Sequence, residues 1–191
     1  MKIISLFGLL SFFISDAIAQ ENAAMVAHTP APTAEEVLAP AFKQAAAEHK
    51  NIIVIFHASW CSWCKKMDAS MNDPLIGKFF TDNYITVHLT VEESAKNKQL
   101  ENAGAWELKK KYNGDKAGLP FWLIMDKNRN LIADSYIRPA GAPLSMPGKS
   151  IGCPANDDEV QAFIDALKKS SRLDDASLQL IATCFKKNKI S

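Results

Sequence analysis

The 191-residue sequence has no surplus of either charge: 22 Lys and Arg stand against 21 Asp and Glu, a net charge of +1. Without a basic excess there is no electrostatic reason to expect nucleic acid or an acidic membrane surface as a partner. The sequence also lacks an apolar run of the roughly 20 residues needed to cross a bilayer. Its strongest run, Ile3 to Ile14, is about a dozen residues long. A second Cys-x-x-Cys pair is missing, so a structural zinc site of two such pairs is short of half its ligands. No internal repeat and no low-complexity tract breaks the chain. With 48% apolar and 23% charged residues, what remains is the composition of a globular protein, long enough for one ordinary domain plus extras.

The first twenty residues are the most specific part of the composition. Lys2 gives a short positive region, the apolar run follows, and Ala17-Ile18-Ala19 offers small residues where a signal peptidase reads them. Residues 1–19 are therefore expected to be a signal peptide cleaved before Gln20. No Cys stands at the cleavage point, which argues against a lipid anchor, and no stable membrane insertion is expected after cleavage. The expected destination is the periplasm, with secretion as the alternative. Export would place the four cysteines Cys61, Cys64, Cys153 and Cys184 in an oxidising compartment, where cysteines serve disulfides or redox chemistry.

Residues 20–32, rich in Ala and Pro, read as a flexible leader to a domain spanning 33–191. Thr33 with Glu36 forms a capping box that opens a helix, and Pro40 is expected to kink or restart it. Ile52 to His57 is a short β-branched run, as in a buried central strand. A helix should run from near Cys61 to Met71, and a second should cover Leu75 to Phe80. Tyr84 to Thr90 reads as a strand and Lys98 to Tyr112 as a polar helix. Pro120 to Met125 and Leu131 to Tyr136 read as strands joined by a turn-rich connection. A Pro/Gly-dense loop over 138–156 and two helices, Asp157 to Lys169 and Asp174 to Lys186, complete the chain. This order predicts an α/β fold: a mixed sheet flanked by helices, with an N-terminal helix and a C-terminal helical extension.

Cys61 and Cys64 are three residues apart, so on the first turn of a helix they share one face and can bridge. The unpaired N–H groups of that turn stabilise a thiolate, which makes Cys61 a usable nucleophile near neutral pH. Cys64 would then be the resolving thiol that attacks the mixed disulfide. No dedicated cofactor is implied, because the dithiol is itself the redox group, and no metal is assigned.

The run IIVIFHASWCSWCKKMD resembles the active-site strand, turn and helix of the thioredoxin superfamily, down to Trp60 before the first cysteine. The longer stretch with its WCxxCKxM signature resembles an exported branch of that superfamily more than it does small cytosolic thioredoxins. Gly118-Leu119-Pro120-Phe121 falls where the fold places its cis-proline. The resemblance implies a thiol–disulfide oxidoreductase acting on cysteine-containing client proteins and recharged by a membrane or exported redox partner. It implies that Pro120 is cis, that the Leu119 backbone pairs with a bound peptide, and that Trp60 and Trp63 offer an apolar patch. Reduction is the expected direction, since the branch is often reductive and Leu119 is apolar; oxidation or isomerisation is the reverse case. Two departures stand out: Ile55 replaces the buried aspartate usual six residues before the first cysteine, and Ala69 replaces a helix proline. His57 is the candidate modulator of the Cys61 pKa.

Cys153 and Cys184, 31 positions apart, are expected to form a structural disulfide between the long loop and the last helix. In the chain-entropy model such a bridge stabilises by about 3–4 kcal/mol. Relay of electrons to the CxxC and simple burial of Cys184 are the alternatives. A competing function is a thioredoxin-like copper-binding or copper-delivery module, since soft thiolates suit Cu(I) and His57 could be a further ligand. A chaperone without redox chemistry would need neither Cys61 nor Cys64.

Overall fold

A computed structural model describes residues 30–189. The expected signal peptide and most of the leader lie outside that range. Helix α1 (Ala34–Glu48) starts on the capping box: Thr33 Oγ1 accepts the Glu36 N–H at 3.2 Å, and the Glu36 carboxylate accepts the Thr33 N–H at 2.7 Å. The expected break at Pro40 does not occur. Pro40 lies on the exposed side of one continuous helix, where water can solvate the backbone carbonyl left without a donor.

Strand β1 (Asn51–His57) enters the middle of a four-stranded sheet ordered β2-β1-β3-β4, with β2 at Tyr84–Thr90, β3 at Phe121–Met125 and β4 at Leu131–Asp134. It pairs parallel with β2, from Asn51 opposite Tyr84 to His57 opposite Thr90, and antiparallel with β3. Side chains alternate across a strand, so β1 feeds two cores. Ile52, Val54 and Phe56 pack with Leu38, Phe42 and Leu123 under α1. Ile53 and Ile55 face Met67, Phe80, Trp122 and Phe163 on the other side. That second core is closed by α2 (Ser62–Met71), α3 (Gly77–Asn83), α5 (Asp157–Ser170) and α6 (Asp175–Phe185). Phe163 sits 5.3 Å from the Trp122 ring and 4.9 Å from Phe185, centroid to centroid, so the C-terminal helices belong to the core.

Three connections differ from the expectation. The polar helix from Lys98 to Tyr112 is two pieces, a 3₁₀ segment at Ala95–Leu100 and α4 at Ala105–Lys111. Between them Gly104 takes φ 85°, and Asn102 accepts the Thr90 N–H at 2.6 Å while donating to the Pro32 carbonyl at 2.7 Å. Tertiary bonds thus interrupt a segment whose local propensity is helical. The strand predicted to Tyr136 divides at buried Ser135, whose Oγ accepts the Trp122 N–H at 3.2 Å. Beyond it β5 (Tyr136–Ile137) pairs with β6 (Lys149–Ser150), which lies inside the predicted loop 138–156. That excursion is anchored by the Arg138 guanidinium, bidentate to the buried Asp134 carboxylate at 2.7 and 2.6 Å.

Candidate active site

At the C-terminal end of β1 the chain turns through Ala58-Ser59-Trp60 and enters α2 at Cys61. The Cys61 N–H donates to the Ala58 carbonyl at 3.0 Å, closing the turn. Cys61 is the N-cap residue of α2, with extended backbone angles, and its Sγ accepts the Cys64 N–H at 3.1 Å. The sulfur nucleophile therefore occupies the place where a helix presents unpaired donors and partial positive charge. Cys61 and Cys64 are joined, with S–S at 2.03 Å and Cα atoms 5.3 Å apart. Both are buried in a small cluster with Ala58, against Trp63 and Leu119.

The turn is held from outside by the segment that leaves β2. Because β1 and β2 are parallel, their C-terminal ends reach the same edge of the sheet. Glu93, only 4% exposed, takes the Ser59 N–H and the Ser59 hydroxyl on its two carboxylate oxygens, at 2.5 and 2.8 Å. The Trp60 indole N–H donates to the Glu92 carbonyl at 2.8 Å, while the ring is 57% exposed. The Lys66 ammonium lies 4.6 Å above the Trp63 ring. Sequence reasoning missed Glu92 and Glu93. Their signal was available: two acids directly after a strand parallel to the one carrying the dithiol, at the strand ends where sites form in α/β folds.

Facing the disulfide from β3, the Leu119–Pro120 peptide bond is cis, and Leu119 packs against the cysteine cluster. Gly152 approaches from the long loop with φ 54°, and a Cβ there would lie 3.5 Å from the Pro120 carbonyl oxygen. Between these parts opens a cavity of about 440 Å³ lined by Trp63, Gly118, Leu119, Ile151, Gly152 and Cys153, among others. A larger cavity of about 670 Å³, beside Glu92 and Trp106, has neither active-site cysteine in its lining.

Ile55 fills the position of the missing aspartate and is buried in the second core. His57 ends the same strand face, its Nε2 3.2 Å from the Thr90 hydroxyl and its ring 5.3 Å from that of His88. His88 Nε2 in turn meets Asp68 of α2 at 2.8 Å. Burial, followed by the neighbouring His88, holds the His57 pKa below the ordinary histidine value, against the pull of Asp68 and Glu93. Among the described residues, no group of three or more His, Cys, Asp or Glu side chains is placed to hold a metal ion.

The second cysteine pair does not bridge: Cys153 and Cys184 are both free and buried, which corrects the expected structural disulfide. The two thiols engage different neighbours. Cys153 Sγ accepts from Asn188 at 3.5 Å, and burial pushes its pKa up to about 12. Burial also raises the Cys184 pKa, helped by the Asp73 carboxylate beside it.

Fold, disulfide and facing proline loop together define the class: a thioredoxin-like thiol–disulfide oxidoreductase. A family model described as thioredoxin-like matches residues 33–127 of the chain. No curated protein matches it. Among solved structures it is similar to a disulphide isomerase from Xylella fastidiosa Temecula1, with 18% identity, TM-score 0.44, and coverage of 79% of this chain and 87% of that one. It is also similar to a DsbH oxidoreductase, with 22% identity, TM-score 0.41, and coverage of 73% and 87%. The C-terminal domain of Neisseria meningitidis DsbD in its oxidised form matches at 17% identity and TM-score 0.38, covering 56% and 84%. Likeness at these levels assigns no role to any residue of this chain. No described helix is long and apolar enough to cross a membrane.

Proposed function

We propose that this protein is exported, to the periplasm or beyond, and there reduces disulfides in client proteins. The observation that carries the reading is the Cys61–Cys64 pair at the start of α2, facing Leu119 and Pro120. Starting from the reduced pair, the Cys61 thiolate attacks one sulfur of a client disulfide and the other client sulfur leaves as a thiol. Cys64 then attacks the mixed disulfide at Cys61 Sγ, releasing the second client thiol. Two electrons and two protons pass to the client, and the protein is left with the Cys61–Cys64 disulfide. A membrane or exported dithiol partner must return those electrons.

Trp60, Trp63, Leu119 and Pro120 are the proposed substrate contacts. The exposed Trp60 ring supports this, as does the cavity that Trp63 and Leu119 share. An extended client segment would pair with the Leu119 backbone. His57, kept neutral near pH 7 by its surroundings, is the proposed proton acceptor that tunes the dithiol in place of the absent aspartate. No observation favours the copper-delivery alternative.

The deciding measurement is the equilibrium reduction potential of Cys61–Cys64 in glutathione buffers, paired with reduction of a peptide disulfide. A potential near the roughly −270 mV of thioredoxin supports a reductant, whereas one near about −120 mV would make the protein an oxidant. Absence of any exchange would defeat the assignment.

A further inference from the structure

Lys109 is a lysine with no exposed surface, buried on the inner side of α4. A fully buried ammonium is costly unless it is paired and hydrogen-bonded. Its two partners lie on two different loops. Nζ donates to the Glu92 carboxylate at 2.5 Å and to the Ala117 carbonyl at 2.8 Å. Glu92 is the residue whose carbonyl holds the Trp60 indole, and it does so from a left-handed backbone, φ 55°. Ala117 begins the Gly118-Leu119 approach to Pro120. Just past the proline, the Phe121 ring lies 5.9 Å from the same ammonium. The protein makes room for this side chain at Gly114, where a Cβ would come within 2.7 Å of Lys109 Cγ.

We propose that Lys109 is a positioning residue that ties the Trp60 turn and the Leu119–Pro120 loop to each other, and so fixes the width of the seat on which a peptide disulfide is presented to Cys61. The link runs from Trp60 through Glu92 to Lys109 and on to Ala117. It touches neither sulfur, so it acts on the peptide's seat and leaves the dithiol chemistry alone. The proposal rests on the thiol–disulfide reading for its kinetic consequence, although the mechanical link stands without it.

Lys109→Met keeps most of the length of the side chain and removes both bonds. Removing one partner of a buried ion pair is costly when the charge left behind is itself buried. The Glu92 side chain, however, keeps 33% exposure and can turn to water, so the variant is expected to fold with some loss of stability. Two measurements on the full chain test the link. In the first, KM for a peptide disulfide rises about tenfold, as expected when a seat is misplaced by a fraction of an ångström. The kcat, and the rate with a small disulfide such as 2-hydroxyethyl disulfide, stay within about twofold. A parallel loss with both substrates would overturn the proposal, since that is the mark of general damage.

The second measurement is amide hydrogen exchange, which needs no activity. Residues 58–61 and 117–119 should both exchange about tenfold faster in Lys109→Met, with α5 and α6 unchanged. In Glu92→Gln, a milder variant that serves if Lys109→Met does not fold, only residues 58–61 should loosen. Unchanged exchange in both segments, or faster exchange everywhere, sinks the link. If the wild type exchanges no disulfide at all, the oxidoreductase reading fails and the hydrogen-exchange result still decides the role of Lys109.

Discussion

The two cysteine pairs are almost equally hidden: Cys61 and Cys64 are 3% and 2% exposed, Cys153 and Cys184 5% and 8%. Burial therefore does not separate a redox pair from a packed one. Position along the helix does. Cys61 caps the N-terminus of α2, where its sulfur receives a backbone N–H and the positive end of the dipole. Cys184 lies in the last turn of α6, at the negative end, next to the Asp73 carboxylate. Cys153 stands in a loop, with one weak donor in Asn188. Negative charge on sulfur is stabilised at the first place and opposed at the others.

The largest test of this contrast is Cys61→Ser, which should lower peptide-disulfide reduction by about a thousandfold or more, because no other thiol is activated. Cys64→Ser should instead accumulate a mixed disulfide with the client, visible as a mass adduct. A thiol-labelling experiment sharpens the same point. After mild reduction, native protein should take up iodoacetamide first at Cys61, while Cys153 and Cys184 label only on unfolding; rapid labelling of Cys153 would erase the contrast.

Smaller effects concern the surroundings. Glu93→Ala removes both acceptors of Ser59 and should cost about 2 kcal/mol in denaturant unfolding. Each of Cys153→Ala and Cys184→Ala should cost about 1 kcal/mol through lost packing, with exchange activity within twofold of wild type. Loss of activity in either would revive a relay role.

The smallest effect is one of pH. His57 has a folded-state pKa below its unfolded value, so the unfolded chain binds more protons there. The associated stability is present above the unfolded value of about 6.5 and is lost as pH falls through the folded value. His57→Asn should flatten that acid-side decline in a series of melting curves from pH 7.5 to about 5.

Much of the fold was legible because its signals are local. The β-branched run before the dithiol, the Thr33–Glu36 capping box and the Tyr84–Thr90 strand each appear where the pattern places them. The errors share one cause. The helix through Lys98–Tyr112 is cut by bonds from Asn102 to residues far away in sequence, and the strand after Leu131 turns aside at Ser135 to let β6 join. Local propensity carries no record of such partners.

By itself the sequence determined the dithiol and its place at a helix start, while the proline loop facing it was implied only by the family resemblance. The dithiol and its place depend on spacing and on the geometry of a single turn, which short-range sterics and hydrogen bonding dictate. Only the tertiary structure decided that Cys153 and Cys184 stay unbonded, that Glu93 holds Ser59, and that Lys109 reaches two loops at once. Each of those outcomes depends on where distant segments come to rest against one another. Packing of the whole chain sets those distances, and no stretch of sequence contains them.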